Sequence, residues 1–142
     1  MKVNTNYFGE INIDDSEVIY FEDGLPGFEY LDKFVIIKQE DMIIDWLQGI
    51  EEDITFPIIN PFLVNKEYEI KIPDNTIKKL EIQDHQDVEI YTMVTIPDNN
   101  IKNMRTNLQA PIVINNKNKR GKQLILDERY PLRYMIFEKV GE

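Results

Sequence analysis

The sequence predicts a mainly β fold: a small antiparallel, barrel-like single domain over residues 1–142, with one or two short helices. Two observations carry that prediction. Short runs rich in Ile, Val, Tyr and Phe recur between Pro, Gly, Asn and Asp, the pattern of short strands joined by tight turns. Nine such runs fit within 142 residues, which is barrel or sandwich density. Hydrophobic residues make up 42% of the chain, enough for one core at this length and too many for disorder.

In chain order, strands are expected at residues 10–13, 18–21, 34–38, 46–50, 55–59, 68–72, 88–96, 112–115 and 123–126. The segment 88–96 is the clearest, because Val88, Ile90, Thr92, Val94 and Ile96 alternate with Glu89, Tyr91, Met93 and Thr95. The second set is itself partly apolar, so both faces are expected to be partly covered. One stretch reads as a helix of about two turns, with Asp74 as its cap and Ile77 and Leu80 at i, i+3 on one face. Pro73 is expected to end the strand before it. Residues 99–104 read as a turn or a short helix.

Charge is unevenly spread. The net charge is −10, yet residues 1–60 carry 3 basic against 14 acidic side chains, and residues 101–142 carry 9 basic against 4 acidic. A surface with that balance repels phosphate backbones and favours basic partners. The absence of cysteine removes disulfides, thiol nucleophiles and thiolate metal sites, and fits a reducing compartment. No run approaches the ~20 apolar residues of a membrane span, and the N-terminal stretch lacks a signal peptide's apolar core. A cytoplasmic protein with no membrane partner is expected.

Catalytic constellations are missing, so no catalytic residue, metal or cofactor is expected. His85, the single histidine, sits in a polar stretch, residues 83–87, and reads as a surface loop residue. Glu51, Glu52 and Asp53 are adjacent, which suits a solvated turn better than two carboxylates facing across a cleft. Residues 41–53 lack the alternating oxygen ligands and central Gly of a calcium loop. Gly24-Leu25-Pro26-Gly27 matches no phosphate-binding pattern, and Pro26 lacks a backbone N–H. The basic stretch 116–122 reads as a solvated hairpin loop with Gly121 supplying a positive φ near its end. The alternative it raises is a nucleic-acid-binding β-barrel protein, opposed by the overall acidity and the lack of aromatics in that stretch.

Three segments are more specific than any chemistry explains. They are the Gly24-Leu25-Pro26-Gly27-Phe28 turn, Asn60-Pro61-Phe62, and Asn107-Leu108-Gln109-Ala110-Pro111 running on to Asn115 and then Gly121-Lys122-Gln123. On physics alone each is a structural turn. Together, in this order, they resemble the flagellar assembly factor FliW family, over essentially the whole chain from its N-terminal strand through Tyr130 and Arg133.

The resemblance implies a small β-barrel-like fold, no known catalytic activity and two protein partners. These are flagellin, the filament subunit, and CsrA, a small RNA-binding repressor of flagellin translation. Flagellin occupies the protein and leaves CsrA free to repress; once flagellin is secreted, the freed protein, expected to be a monomer, captures CsrA. Charge complementarity to CsrA points to Glu40, Asp41, Asp45, Glu51, Glu52 and Asp53. Flagellin's amphipathic terminal segments need apolar anchors, for which Phe28, Phe62 and Leu108 are candidates beside their turns. For each of the three a core plug is the other reading.

Overall fold

Seven short strands follow one another around an apolar interior. The structure is a computed structural model and describes residues 1–127 and 129–137. Its strands are β1 (Lys2–Thr5), β2 (Gly9–Asn12), β3 (Ile19–Tyr20), β4 (Lys33–Ile37), β5 (Ile44–Gly49), β6 (Thr55–Ile59), β7 (Val88–Thr95), β8 (Arg105–Thr106), β9 (Ile112–Asn115), β10 (Arg120–Gln123) and β11 (Tyr134–Met135). The helix α1 (Asp74–Lys79) lies between β6 and β7. β4, β5, β6 and β7 form an antiparallel meander, β7 pairs with β9, and β9 with β10. The ring closes through β10 and β3 onto β4.

Closure is partial, and at one point it departs from the expected antiparallel sheet. β10 and β3 run parallel and meet at the single pair Arg120↔Tyr20, reinforced by the Tyr20 N–H donating to the Lys119 carbonyl at 2.8 Å. β8 and β11 leave the ring and extend the sheet from the end of β7.

The interior is filled by Phe21, Phe34, Leu47, Ile58, Tyr91, Ile112 and Ile114 with their neighbours. The outer face is covered too. The β1–β2 hairpin lays Val3, Ile11 and Ile13 on Val35 and Ile37. Met104 and Ile136 cover Ile59 and Val94, and Leu80 at the end of α1 covers Val113 and Leu124. Sheets buried on both faces require continuous apolar runs, which is why Phe34-Val35-Ile36-Ile37 and Ile112-Val113-Ile114 do not alternate cleanly.

Several boundaries move from those expected, and two expected strands fail. Residues 68–72 form no strand. Tyr68 is buried with its hydroxyl donating to the Leu108 carbonyl at 2.6 Å, and Ile70 and Ile72 pack against the cluster under α1, so burial satisfies the alternation without a ladder. Pro73 therefore ends no strand. The strand expected at 123–126 lies at Arg120–Gln123 instead. Beyond it Leu124 N–H still donates to the Pro111 carbonyl at 2.8 Å, but Pro111 has no N–H to return the bond. β1, β8 and β11 went unread in the sequence; the last two are two residues long.

Asp74 does not cap α1 with its side chain. Pro73 occupies the N-cap and Asp74 is the first helical residue. The other end is capped from afar: Asn115 Nδ2 donates to the Leu80 carbonyl at 2.8 Å and to that of Glu81 at 3.2 Å, satisfying carbonyls that a helix end leaves free. Residues 99–104 form short 3-10 turns, Pro97–Asn99 and Ile101–Asn103. Gly121 does not supply a positive φ; Lys119 does, at 58°. Gly121 sits in β10 beneath Phe21, where a Cβ would come within 2.8 Å of the ring.

Candidate functional site

The first and third of the singled-out segments meet at one end of the ring. In the Gly24 turn the Phe28 N–H donates to the Leu25 carbonyl at 2.7 Å, Leu25 is buried, and Phe28 lies half-buried with its ring edge-on to Phe56 at 5.3 Å. Across from it, Asn107 Oδ1 accepts the Gln109 N–H at 3.0 Å and holds the next turn. Gln123 Nε2 donates to the Ala110 carbonyl at 3.0 Å, tying that turn to β10. Leu25, Pro26, Phe28, Phe56 and Met93 thus share an apolar cleft of about 330 Å³ with Asn107, Gln109, Ala110 and Gln123. Ile125 and Leu132 stand on its rim, 78% and 58% exposed.

Lys122 locks this end from outside. Its Nζ lies 3.3 Å from Asp23 Oδ2, and Lys79 from α1 grips the same oxygen. The hydrogen bond from Lys79, and then that from Lys122, holds the Asp23 carboxyl below the ordinary carboxylate range.

Asn60-Pro61-Phe62 lies at the opposite end, since Phe56, which lines the first cleft, stands near the start of β6 and Asn60 follows its last residue. Asn60 Oδ1 accepts the Phe62 N–H at 3.0 Å, which starts a 3-10 turn over Pro61–Leu63 and turns Phe62 and Leu63 outward. They border an open cleft of about 460 Å³ together with Lys38, Met42, Ile43, Asp45, Glu89 and Tyr91. Tyr91 OH donates to Glu89 Oε2 at 2.9 Å; burial, then that bond, pushes its phenol well above the ordinary value. Burial also raises the Asp45 carboxyl, with Lys38 opposing and Glu89 adding to the shift.

The structure sorts the candidate residues accordingly. Of the apolar three, Leu108 is 0% exposed and is the core plug, Phe28 is half-buried in the first cleft, and Phe62 is 39% exposed in the second. The six carboxylates do not form one face. Glu40 and Asp41 sit on the exposed β4–β5 loop beside Asp45. Glu51, Glu52 and Asp53 lie on the turn at the far end of β5, about 20 Å along a strand of that length. All three are already engaged: Glu51 pairs with Lys33 at 3.5 Å, Glu52 Oε2 accepts from Tyr30 OH at 3.4 Å, and Asp53 accepts from Asn6 N–H at 2.9 Å and Gln48 Nε2 at 3.0 Å. Glu89, Tyr91, Met42 and Ile43 were missed from the sequence. An apolar pair in a polar loop was the one available signal.

His85 is exposed, as expected. The basic loop between β9 and β10 is largely neutralised locally, because Lys117 lies 3.8 Å from Asp87 and Arg120 3.8 Å from Glu81. Among the described residues no group of three His, Asp or Glu side chains is placed to hold a metal, and no helix is long and apolar enough to cross a membrane. The first cleft offers apolar surface with a polar rim, and the second mixes apolar side chains with the charged Lys38, Asp45 and Glu89.

Comparison with known proteins gives a consistent result. The family model described as FliW protein matches residues 2–136. The chain is 46% identical over 141 residues to a flagellar assembly factor FliW of Caldicellulosiruptor bescii, covering 98% of this chain and 92% of that one. It is 45% identical to that of Thermosipho africanus, covering 97% of each. A crystal structure of the flagellar assembly factor FliW superposes with a TM-score of 0.89 at 36% identity, covering 97% of this chain and 98% of the other.

Proposed function

The chain belongs to the FliW protein family, and from that premise we propose that it serves flagellar assembly by holding two proteins in turn in the cytoplasm. It binds flagellin. When free of flagellin, as a monomer, it binds the translational repressor CsrA and relieves repression of flagellin synthesis.

The observation that supports this most directly is the convergence of two segments far apart in the chain, Leu25-Pro26-Gly27-Phe28 and Asn107 to Gln123, on one apolar cleft. An amphipathic helix seats its apolar face in such a groove through aliphatic and aromatic contacts, so Phe28, Ile125 and Leu132 are the contacts proposed for flagellin. The acidity of residues 1–60 supports a basic second partner, with Glu40, Asp41, Asp45, Glu51, Glu52 and Asp53 as candidates.

The test is a mixing experiment read by co-elution. The purified protein is expected to retain CsrA and to release it when flagellin is added; failure to retain either partner overturns the proposal. The nucleic-acid-binding alternative has less support, since three of the basic side chains at 117–122 face carboxylates. Salt-sensitive binding of the isolated protein to flagellin messenger RNA would favour it.

A further inference from the structure

The end of the ring opposite the motif cleft carries features that folding alone does not need. Met42, Ile43 and Leu63 are 51%, 45% and 63% exposed, and with Phe62 they border one open cleft. That cleft continues past Phe62, Val88 and Ile90 toward α1. Single exposed apolar side chains are ordinary, but contiguous ones rimmed by charge mark interaction surfaces. Asp45 and Glu89 line the same cleft, and among the described residues neither forms an ion pair. Lys38 lines it as well but lies beyond ion-pair range of both. Carboxylates partly withdrawn from water without a paired cation carry a desolvation cost that an incoming cation offsets. Glu40 and Asp41 on the adjoining loop extend the negative rim.

We infer that this end of the ring is a second docking surface, and that its occupant is a basic amphipathic segment of another protein. Apolar side chains of the segment seat on Met42, Ile43, Phe62 and Leu63, and a Lys or Arg reaches Asp45 and Glu89. The inference rests on the proposed function and narrows it. The basic partner docks here and not at Glu51 and Asp53, whose carboxylates already bind Lys33, Asn6 and Gln48. The two ends then differ in chemistry, because the polar groups of the motif cleft are the neutral amides of Asn107, Gln109 and Gln123.

The probe is a labelled Leu/Lys amphipathic peptide about five helical turns long, with a Leu/Glu peptide of the same pattern for comparison, titrated with the full chain and read by fluorescence anisotropy. Asp45→Asn with Glu89→Gln removes the charge while leaving Tyr91 an acceptor. Leu63→Ser removes an exposed apolar contact. Glu51→Gln with Glu52→Gln removes the same charge from the other end. The Lys peptide is expected to bind in a salt-sensitive way, to lose about tenfold or more in affinity with either cleft variant, and to be unchanged by the control pair; the Glu peptide is expected not to bind. Equal loss in both charge variants, no loss with Leu63→Ser, or equal binding of the two peptides overturns the inference. So does a Leu63-dependent dimer in sedimentation, which would make a second copy the occupant. Retention of flagellin and CsrA on the same variants separates the two readings. If the unaltered protein fails to hold either one, the proposed function fails; if it holds both and Asp45→Asn with Glu89→Gln leaves CsrA retention intact, only this inference fails.

Discussion

Replacing Gly24 by Ala should destabilise the fold far more than the same change three residues later. Both glycines lie at positive φ, 63° at Gly24 and 85° at Gly27, where an L residue is strained by about 1–2 kcal/mol. Their surroundings differ. A Cβ on Gly24 would lie 2.7 Å from Glu29 Cα and 2.8 Å from the carbonyl oxygens of Glu29 and Phe28. These are backbone atoms that cannot swing aside, so overpacking adds about 1–3 kcal/mol. On Gly27 a Cβ meets nothing within 4 Å. Each Ala also restricts the unfolded chain, which returns about 0.4–1 kcal/mol. The expected losses are therefore about 2–4 kcal/mol for Gly24→Ala and about 1 kcal/mol for Gly27→Ala, measured by urea unfolding with unchanged m. Equal losses in the two variants would refute the close approach as the reason for glycine at 24.

Three further outcomes follow from the same structure. Leu108→Ala should cost about 2–5 kcal/mol as a buried truncation, whereas Leu132→Ala, exposed on the motif cleft, should leave the unfolding midpoint nearly unchanged and weaken flagellin retention; the reverse pattern would show that the burial is misassigned. Tyr68→Phe leaves the buried Leu108 carbonyl without its donor and should cost about 1–3 kcal/mol, so a loss under about 0.5 kcal/mol would show that the bond adds little. Because the folded state holds the Asp23 carboxyl below its ordinary range, its contribution is present at neutral pH and lost as pH falls through the acid range. Asp23→Asn should thus lower the urea midpoint at pH 7 by a salt-sensitive amount that shrinks as acid protonates the carboxyl, and a pH-independent difference would count against the Lys79 and Lys122 contacts as its cause.

Much of the fold was legible because strand-forming signals are local. A period of two and a bounding Pro, Gly or Asn fall within a few residues, which is why Thr55–Ile59 and Ile112–Asn115 were read to the residue and β7 to within one. Residues 68–72 misled because alternating apolar side chains satisfy burial equally well without a ladder. Two-residue strands such as β8 carry too few positions to show any period. The motif segments stood out by composition and order, and the family followed from them.

The sequence by itself determined the β class, the turn residues, the concentration of acid in residues 1–60 and the family resemblance. Only the tertiary structure decided where those residues stand: that Leu108 is core while Phe62 faces out, that Gly121 makes room for Phe21, and that Glu40 and Asp41 lie at one end of β5 with Glu51, Glu52 and Asp53 at the other. The reason is that exposure depends on which strands meet. In this ring the deciding contacts join residues far apart in the chain, Tyr20 to Arg120 and Tyr68 to Leu108, where local pattern carries no information about partners.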